Sequence, residues 1–142
     1  MILFINTLQT DLIQVKLIDG GKIVGSLESK EEYKQSELLL GIIDKLLKDQ
    51  SIKVKDLDKV AVVSGPGAFS ALRFGITTAN ALAWSLSIPV IEVSIDEAFD
   101  DQKLIKILEE KTKNLKLKAK TFIPIVANYG KEPNITGIKN NE

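Results

Sequence analysis

Hydrophobic positions along the first 30 residues fall in short blocks. Ile2 to Ile5 is an apolar run bounded by Asn6 and Thr7, which predicts a buried strand, and Leu12 to Ile18 follows with β-branched residues. Asp19-Gly20-Gly21 then supplies a tight hairpin, because glycine takes a positive φ without steric cost. Lys22 to Leu27 is accordingly predicted as the third strand of a meander. From Lys30 to Gln50 there is no proline, and Leu38, Leu39, Leu40, Ile42, Ile43, Leu46 and Leu47 return at helical spacing. At about 100° per residue these side chains spread over roughly 200°, about twice the usual width of a core-facing stripe. Such a helix is either deeply packed, or shows one apolar face to its own sheet and another to a partner.

Val60-Ala61-Val62-Val63 is a continuous apolar run of the kind found in parallel strands covered on both faces. It stops at Ser64-Gly65-Pro66-Gly67. A helix is predicted from Phe69 to Ser87, ended by Ile88-Pro89, with a further strand at Val90 to Val93, so that strand, helix and strand make a βαβ unit. Ser94 and Glu97 have the spacing of a capping box and predict another helix, broken near Asp100-Asp101 and resuming to Glu110. Leu115, Leu117 and Ala119 alternate with Lys116, Lys118 and Lys120, which predicts a strand with one wet face. From Asn128 onward, Gly130, Pro133, Gly137 and several asparagines predict an irregular tail.

Composition changes the picture mainly by exclusion. With 142 residues, 44% of them hydrophobic, one self-supporting core is expected. Nineteen basic and nineteen acidic residues cancel, so bulk charge gives no attraction to nucleic acid. The lysines at 103, 106, 111, 113, 116, 118 and 120 form a local basic excess, either a solvated face or a surface that steers a polyanion. Cysteine and histidine are both absent, which removes thiolate sites, the commonest general base and the commonest metal ligand. Independent catalysis is therefore not expected, and no cofactor or metal is predicted. The N-terminal run lacks the basic region of a secretory signal, and no segment approaches the roughly 20 apolar residues of a membrane span. A cytoplasmic location is the default expectation.

The stretch SGPGAFSALRFG holds the candidate chemistry. A P-loop would need a lysine followed by serine or threonine, which is missing, and the third glycine of G-x-G-x-x-G is replaced by Ser70. What remains at Ser64, Gly65, Pro66 and Gly67 is either a helix N-terminus able to receive an anion or a turn that merely redirects the chain. Beyond it Ala71, Gly75, Ala79 and Ala83 recur every fourth residue, a stripe of small side chains that permits close approach of a second backbone. That backbone belongs either to a partner or to the chain's own core. Arg73 is placed to pair with an acid of the partner or to lie solvated. On the partner reading, Gly75→Leu abolishes association, whereas Gly75→Ala keeps the helix and favours it by up to about 1 kcal/mol.

From Ser64 to Ala98 the sequence SGPGAFSALRFGITTANALAWSLSIPVIEVSIDEA resembles the TsaB (also called YeaZ) family, whose members are partners in making threonylcarbamoyladenosine in tRNA. ILFINT, QSELLLGIID and PIVANYGKEPNI are similar to that family's first strand, first helix and closing segment, so the resemblance covers most of the chain. It departs from the family pattern at Asn6, Gln35, Gly41, Ala68, Ser70 and Ala71.

The resemblance implies an actin-like, ribonuclease-H-like α/β fold: a mixed sheet with a three-strand meander followed by helix, strand, helix and strand. It would occupy residues 1–100, with 101–142 a reduced C-terminal helix, strand and tail. It further implies a non-catalytic partner of the subunit TsaD, joined through the two long helices, with Leu39, Ile43, Leu46, Leu47, Ala71, Arg73, Gly75, Ala79 and Ala83 at the contact. Recruitment of the ATPase TsaE, and tRNA contact only through the complex, are implied too; self-pairing in the partner's absence stays open. The alternatives are a small actin-like ATPase or kinase gripping nucleotide at the hairpin and glycine-rich turn, and a ribonuclease-H-like nuclease. Both want an acid after the first strand, where this chain has the neutral Asn6.

Overall fold

The computed structural model describes residues 1–7, 12–30, 35–66, 69–98, 100–117 and 124–125, and their side chains except at 35–37, 69–71, 116 and 117. Strands β1 (Ile2–Asn6), β2 (Ile13–Asp19) and β3 (Lys22–Ser29) are followed by helix α1 (Gln35–Asp49) and a short 3-10 turn (Val54–Asp56). Then come β4 (Lys59–Gly65), α2 (Phe69–Leu86), β5 (Val90–Ser94) and α3 (Asp101–Leu117). The five strands form one mixed sheet in the order β3-β2-β1-β4-β5. The meander is antiparallel, while β4 runs parallel to both β1 and β5. This is the α/β arrangement expected from the pattern of apolar blocks.

The local causes are those legible in the sequence. Gly20 and Gly21 adopt φ of 58° and 76°, the pair of positive values that a two-residue hairpin with the native strand twist requires. β3, at the sheet edge, alternates exposed and half-buried residues, whereas β4 is buried at every position after Lys59, as a strand covered on both faces must be. Helices α1 and α2 each end on a serine with φ of 56°, Ser51 and Ser87. The Ile52 amide bonds back to the Leu47 carbonyl and the Ile88 amide to that of Ala83, closing both helices in the same left-handed way.

Strand pairing sorts the side chains into two layers. Leu3, Ile5, Val15, Leu17, Val60 and Val62 share one face, on which α1 and α2 pack; Phe4, Lys16, Ile18, Ala61 and Val63 share the other. On that second face Lys16, only 9% exposed, reaches over the Phe4 ring to pair with Asp101 at the start of α3. Leu104 and Leu108 of α3 belong to the same apolar cluster as the sheet and the other two helices. The described part of the segment after residue 100 therefore shares a core with the first hundred residues.

Two predicted elements are corrected. Ser94 and Glu97 do form the reciprocal capping bonds, Ser94 N–H to Glu97 Oε1 at 2.9 Å and Glu97 N–H to Ser94 Oγ at 3.2 Å, but they close only a turn. The helix begins at Asp101, where the Asp100 carboxylate accepts from the Lys103 amide at 2.7 Å. It then runs to Leu117, so residues 115–117 are helical and not the start of a strand. Leu104, Leu108, Thr112 and Leu115 continue one inward stripe, and that period overrides the lysine alternation. Residues 118–120 and the tail from Asn128 lie outside the described residues. Among the described residues no helix is long and apolar enough to cross a membrane.

Glu97 ties β5 to α3, because Lys111 Nζ donates to its carboxylate at 3.2 Å and also to the Glu92 carbonyl. Burial pushes the Glu97 carboxyl up, but the Ser94 amide and Lys111 outweigh it and hold the group below its ordinary value. A carboxylate lowered on folding stabilises the fold above its unfolded pKa, and the contribution is lost as pH falls through the lowered value. Between about pH 5 and about pH 3 the melting temperature of the parent chain should therefore fall more steeply than that of Glu97→Gln. Parallel acid limbs in thermal melts would contradict this.

Candidate functional site

The parallel strands β1, β4 and β5 all end at the same edge of the sheet, where ligands of open α/β folds are usually held. Ser64 is buried and its hydroxyl donates to Glu92 Oε2 at 2.7 Å. Gly65 takes φ of 124°, a conformation that side chains rarely adopt, is joined to Pro66 by a cis peptide bond, and accepts from the Ile95 amide at 3.1 Å. Ser64 and the Gly65 carbonyl are thus committed within the chain, and the Glu92 carboxylate sets a negative charge beside the turn that opposes an incoming anion. Gly67 lies outside the described residues. Among those described, no group of three or more acids could hold a metal ion.

The small-residue stripe of α2 turns inward. Ala79 and Ala83 are fully buried, and a Cβ built on Gly75 would lie 2.3 Å from Thr7 Oγ1, with Thr7 itself fully buried at the end of β1. What approaches Gly75 is thus the chain's own Thr7 side chain, at the end of the first strand. This corrects the expectation that alanine is harmless there. Leu39, Ile43, Leu46 and Leu47 of α1 are likewise at most 5% exposed. On the folded chain these side chains have no surface to give a partner. Arg73 lies on the exposed side of α2; the Ala71 side chain is outside those described.

The outward side of the same two helices carries large apolar side chains in water. Leu40 is 65% exposed, Trp84 70% and Phe74 39%, although all three are large and apolar. Between α1 and α2 runs a groove of about 330 Å³ lined by Leu40, Thr77, Thr78, Ala81, Leu82 and Ser85. Gly41, next to Leu40, is exposed, and a Cβ built there would meet nothing within 4 Å among the described residues, so none of them offsets the helix propensity it forfeits, about 1 kcal/mol against alanine. The signal for this face was present: Trp84 falls on the wheel across from the Gly75 and Ala79 side of α2, and Leu40 stands at one edge of the over-wide α1 stripe.

At the flank of α2 away from α1, Asn80 holds a second segment. Its amide donates to the Ile125 carbonyl and accepts from the Ile125 amide, each at 2.9 Å across 45 residues of sequence.

Residues 29–116 match the family described as TsaD: tRNA N6-adenosine threonylcarbamoyltransferase. Over 52 residues the chain is 44% identical to the tRNA threonylcarbamoyladenosine biosynthesis protein TsaB of Bacillus subtilis, covering 37% of this chain and 23% of that protein. Over 80 residues it is 35% identical to the tRNA N6-adenosine threonylcarbamoyltransferase of Chlorobium phaeovibrioides, covering 56% of this chain and 22% of that protein. Among solved structures it is similar to YeaZ from Pseudomonas aeruginosa, with a TM-score of 0.61 and 29% identity over 66% of this chain and 43% of that one. The match thus spans under a quarter of these sequence relatives and less than half of the solved structure.

Proposed function

Because this chain belongs to the family described as TsaD: tRNA N6-adenosine threonylcarbamoyltransferase, and within it is TsaB/YeaZ-like, we propose that it serves threonylcarbamoyladenosine formation in tRNA as a non-catalytic partner of a TsaD-like subunit. The observation that carries the partner role is the outward apolar face of α1 and α2, with Leu40, Phe74 and Trp84 standing in water beside a groove. Exposed aromatic and aliphatic anchors around a depression are what a protein interface supplies at its centre. Gly41 adds a point of bare backbone on α1 where a second helix can come close. A sequence without histidine or cysteine lacks the groups most often used for proton transfer and nucleophilic attack, which supports the non-catalytic half of the reading.

In this reading tRNA meets the chain only through the complex, since its charges cancel. Without the catalytic subunit, two copies would cover the same face by two-fold pairing, and a TsaE-like ATPase would join the assembled pair rather than the isolated chain. The test is direct mixing: purified chain and its host's TsaD-like subunit should elute together in size-exclusion chromatography at micromolar concentration. Separate elution, or magnesium-dependent ATP turnover by the chain alone, would overturn the proposal and return the actin-like ATPase to first place.

A further inference from the structure

At the end of the sheet opposite the glycine-proline turn, the β2–β3 hairpin, the start of β1 and the middle of α3 enclose a cavity of about 440 Å³. Its volume lies within the range of roughly 300–1,000 Å³ typical of small-molecule sites. Ile2, Ile18, Ile105 and Leu108 supply an apolar floor, and charged groups of both signs line the rim.

The charges on the rim are unequally satisfied. Asp58 accepts from the N-terminal amine at 3.0 Å and from Lys59 at 3.3 Å. Burial pushes its carboxyl up, but these two cations outweigh that and hold it below its ordinary value, so this cluster is already complete. Glu109 and Lys113, one turn apart on α3, have no ion pair among the described residues, although both line the cavity. Between them Thr112 Oγ1 is buried without a hydrogen-bond partner among the described residues. Such a hydroxyl is a cost that a bound polar group would remove. The wall opposite is pared to glycine: a Cβ on Gly21 would come within 3.1 Å of Glu109 Oε2. An acid, a base and an orphan hydroxyl therefore converge on an apolar floor.

We propose that this cavity binds a small zwitterion with an aliphatic body, of the class of the aliphatic α-amino acids. Glu109 takes the ammonium, Lys113 and the Thr112 hydroxyl take the carboxylate, and the floor takes the side chain. The matched charges fit the ligand better than a simple amine or acid, either of which would leave one rim charge unanswered. The site lies on the α3 side of the sheet, across from the layer of α1 and α2 that carries the partner face, and rests on nothing in the partner reading.

L-leucine, isopentylamine and isovalerate, titrated separately into the ¹⁵N-labelled chain, test this through the amide shifts of Gly20, Gly21 and Thr112. Leucine should give saturable shifts at millimolar concentration, and each half-molecule should bind about tenfold more weakly, the loss of one charge-assisted hydrogen bond. Glu109→Gln should weaken leucine by a similar factor while leaving isovalerate unchanged, and Lys113→Gln should do the reverse with isopentylamine. Both residues are exposed at the rim, so the variants keep the fold. No saturable shift with leucine, equal shifts with all three probes, or variants indifferent to leucine would each overturn the proposal.

Discussion

Gly75→Ala is expected to destabilise the chain by about 1–3 kcal/mol in urea unfolding, the usual cost of an extra carbon forced into a filled core. Helix propensity alone argues the opposite, a gain of about 1 kcal/mol for alanine over glycine in mid-helix. Geometry decides between them. The new Cβ would stand 2.3 Å from Thr7 Oγ1 and 3.3 Å from Thr7 Cβ, and Thr7 is short, β-branched and fully buried, so it has no room to turn away. Gly75→Leu should give no folded protein. The control is a double-mutant cycle: Thr7→Ala removes the nearest atom, so the Gly75→Ala penalty should shrink in that background. An alanine variant more stable than the parent would mean that α2 and β1 do not meet here.

Leu40→Asp and Trp84→Asp are expected to leave the melting temperature nearly unchanged and to weaken association with the TsaD-like subunit by roughly 30-fold or more, the scale of an interface anchor worth 2 kcal/mol or above. Both side chains are mostly exposed, so a charge there costs the isolated fold little. Leu39→Asp, one residue away and 2% exposed, should instead unfold the chain. The contrast separates a lost interface from a lost fold. If both outward variants bind as tightly as the parent, the partner face lies elsewhere.

What was legible in the sequence follows from which signals carry direction. Gly20-Gly21 announces a hairpin because no other pair of residues takes two positive φ values so cheaply, and the unbroken apolar run at Val60 to Val63 announces a strand covered on both faces. The stripes of α1 and α2 are periodic but have no sign. Period tells that Ala79 and Ala83 share a face, and small side chains suit a partner's backbone as well as the chain's own β1. Only the register of the sheet, which brings Thr7 under Gly75, settles the choice. Lys16 was unreadable for the same reason: a lysine within a strand suggests a wet position, and nothing local indicates that Asp101, 85 residues away, comes to meet it. At the C-terminal end of α3, alternating lysines imitated a strand, while the deciding contacts of Leu104 and Leu108 are tertiary.

The Asn80 clamp carries a consequence for the order in which the molecule assembles. Closing a loop of 45 residues costs about 3.4 kcal/mol in chain entropy beyond a constant, by the logarithmic scaling of loop closure, while two neutral hydrogen bonds return a net of about 1–3 kcal/mol. The clamp therefore does not form on an otherwise open chain. It becomes favourable once β5 and α3 are in place, for then only the short stretch between Leu117 and Ile125 remains to be closed. Asn80 should thus act as a late fastener, engaged after the sheet and its helices have formed.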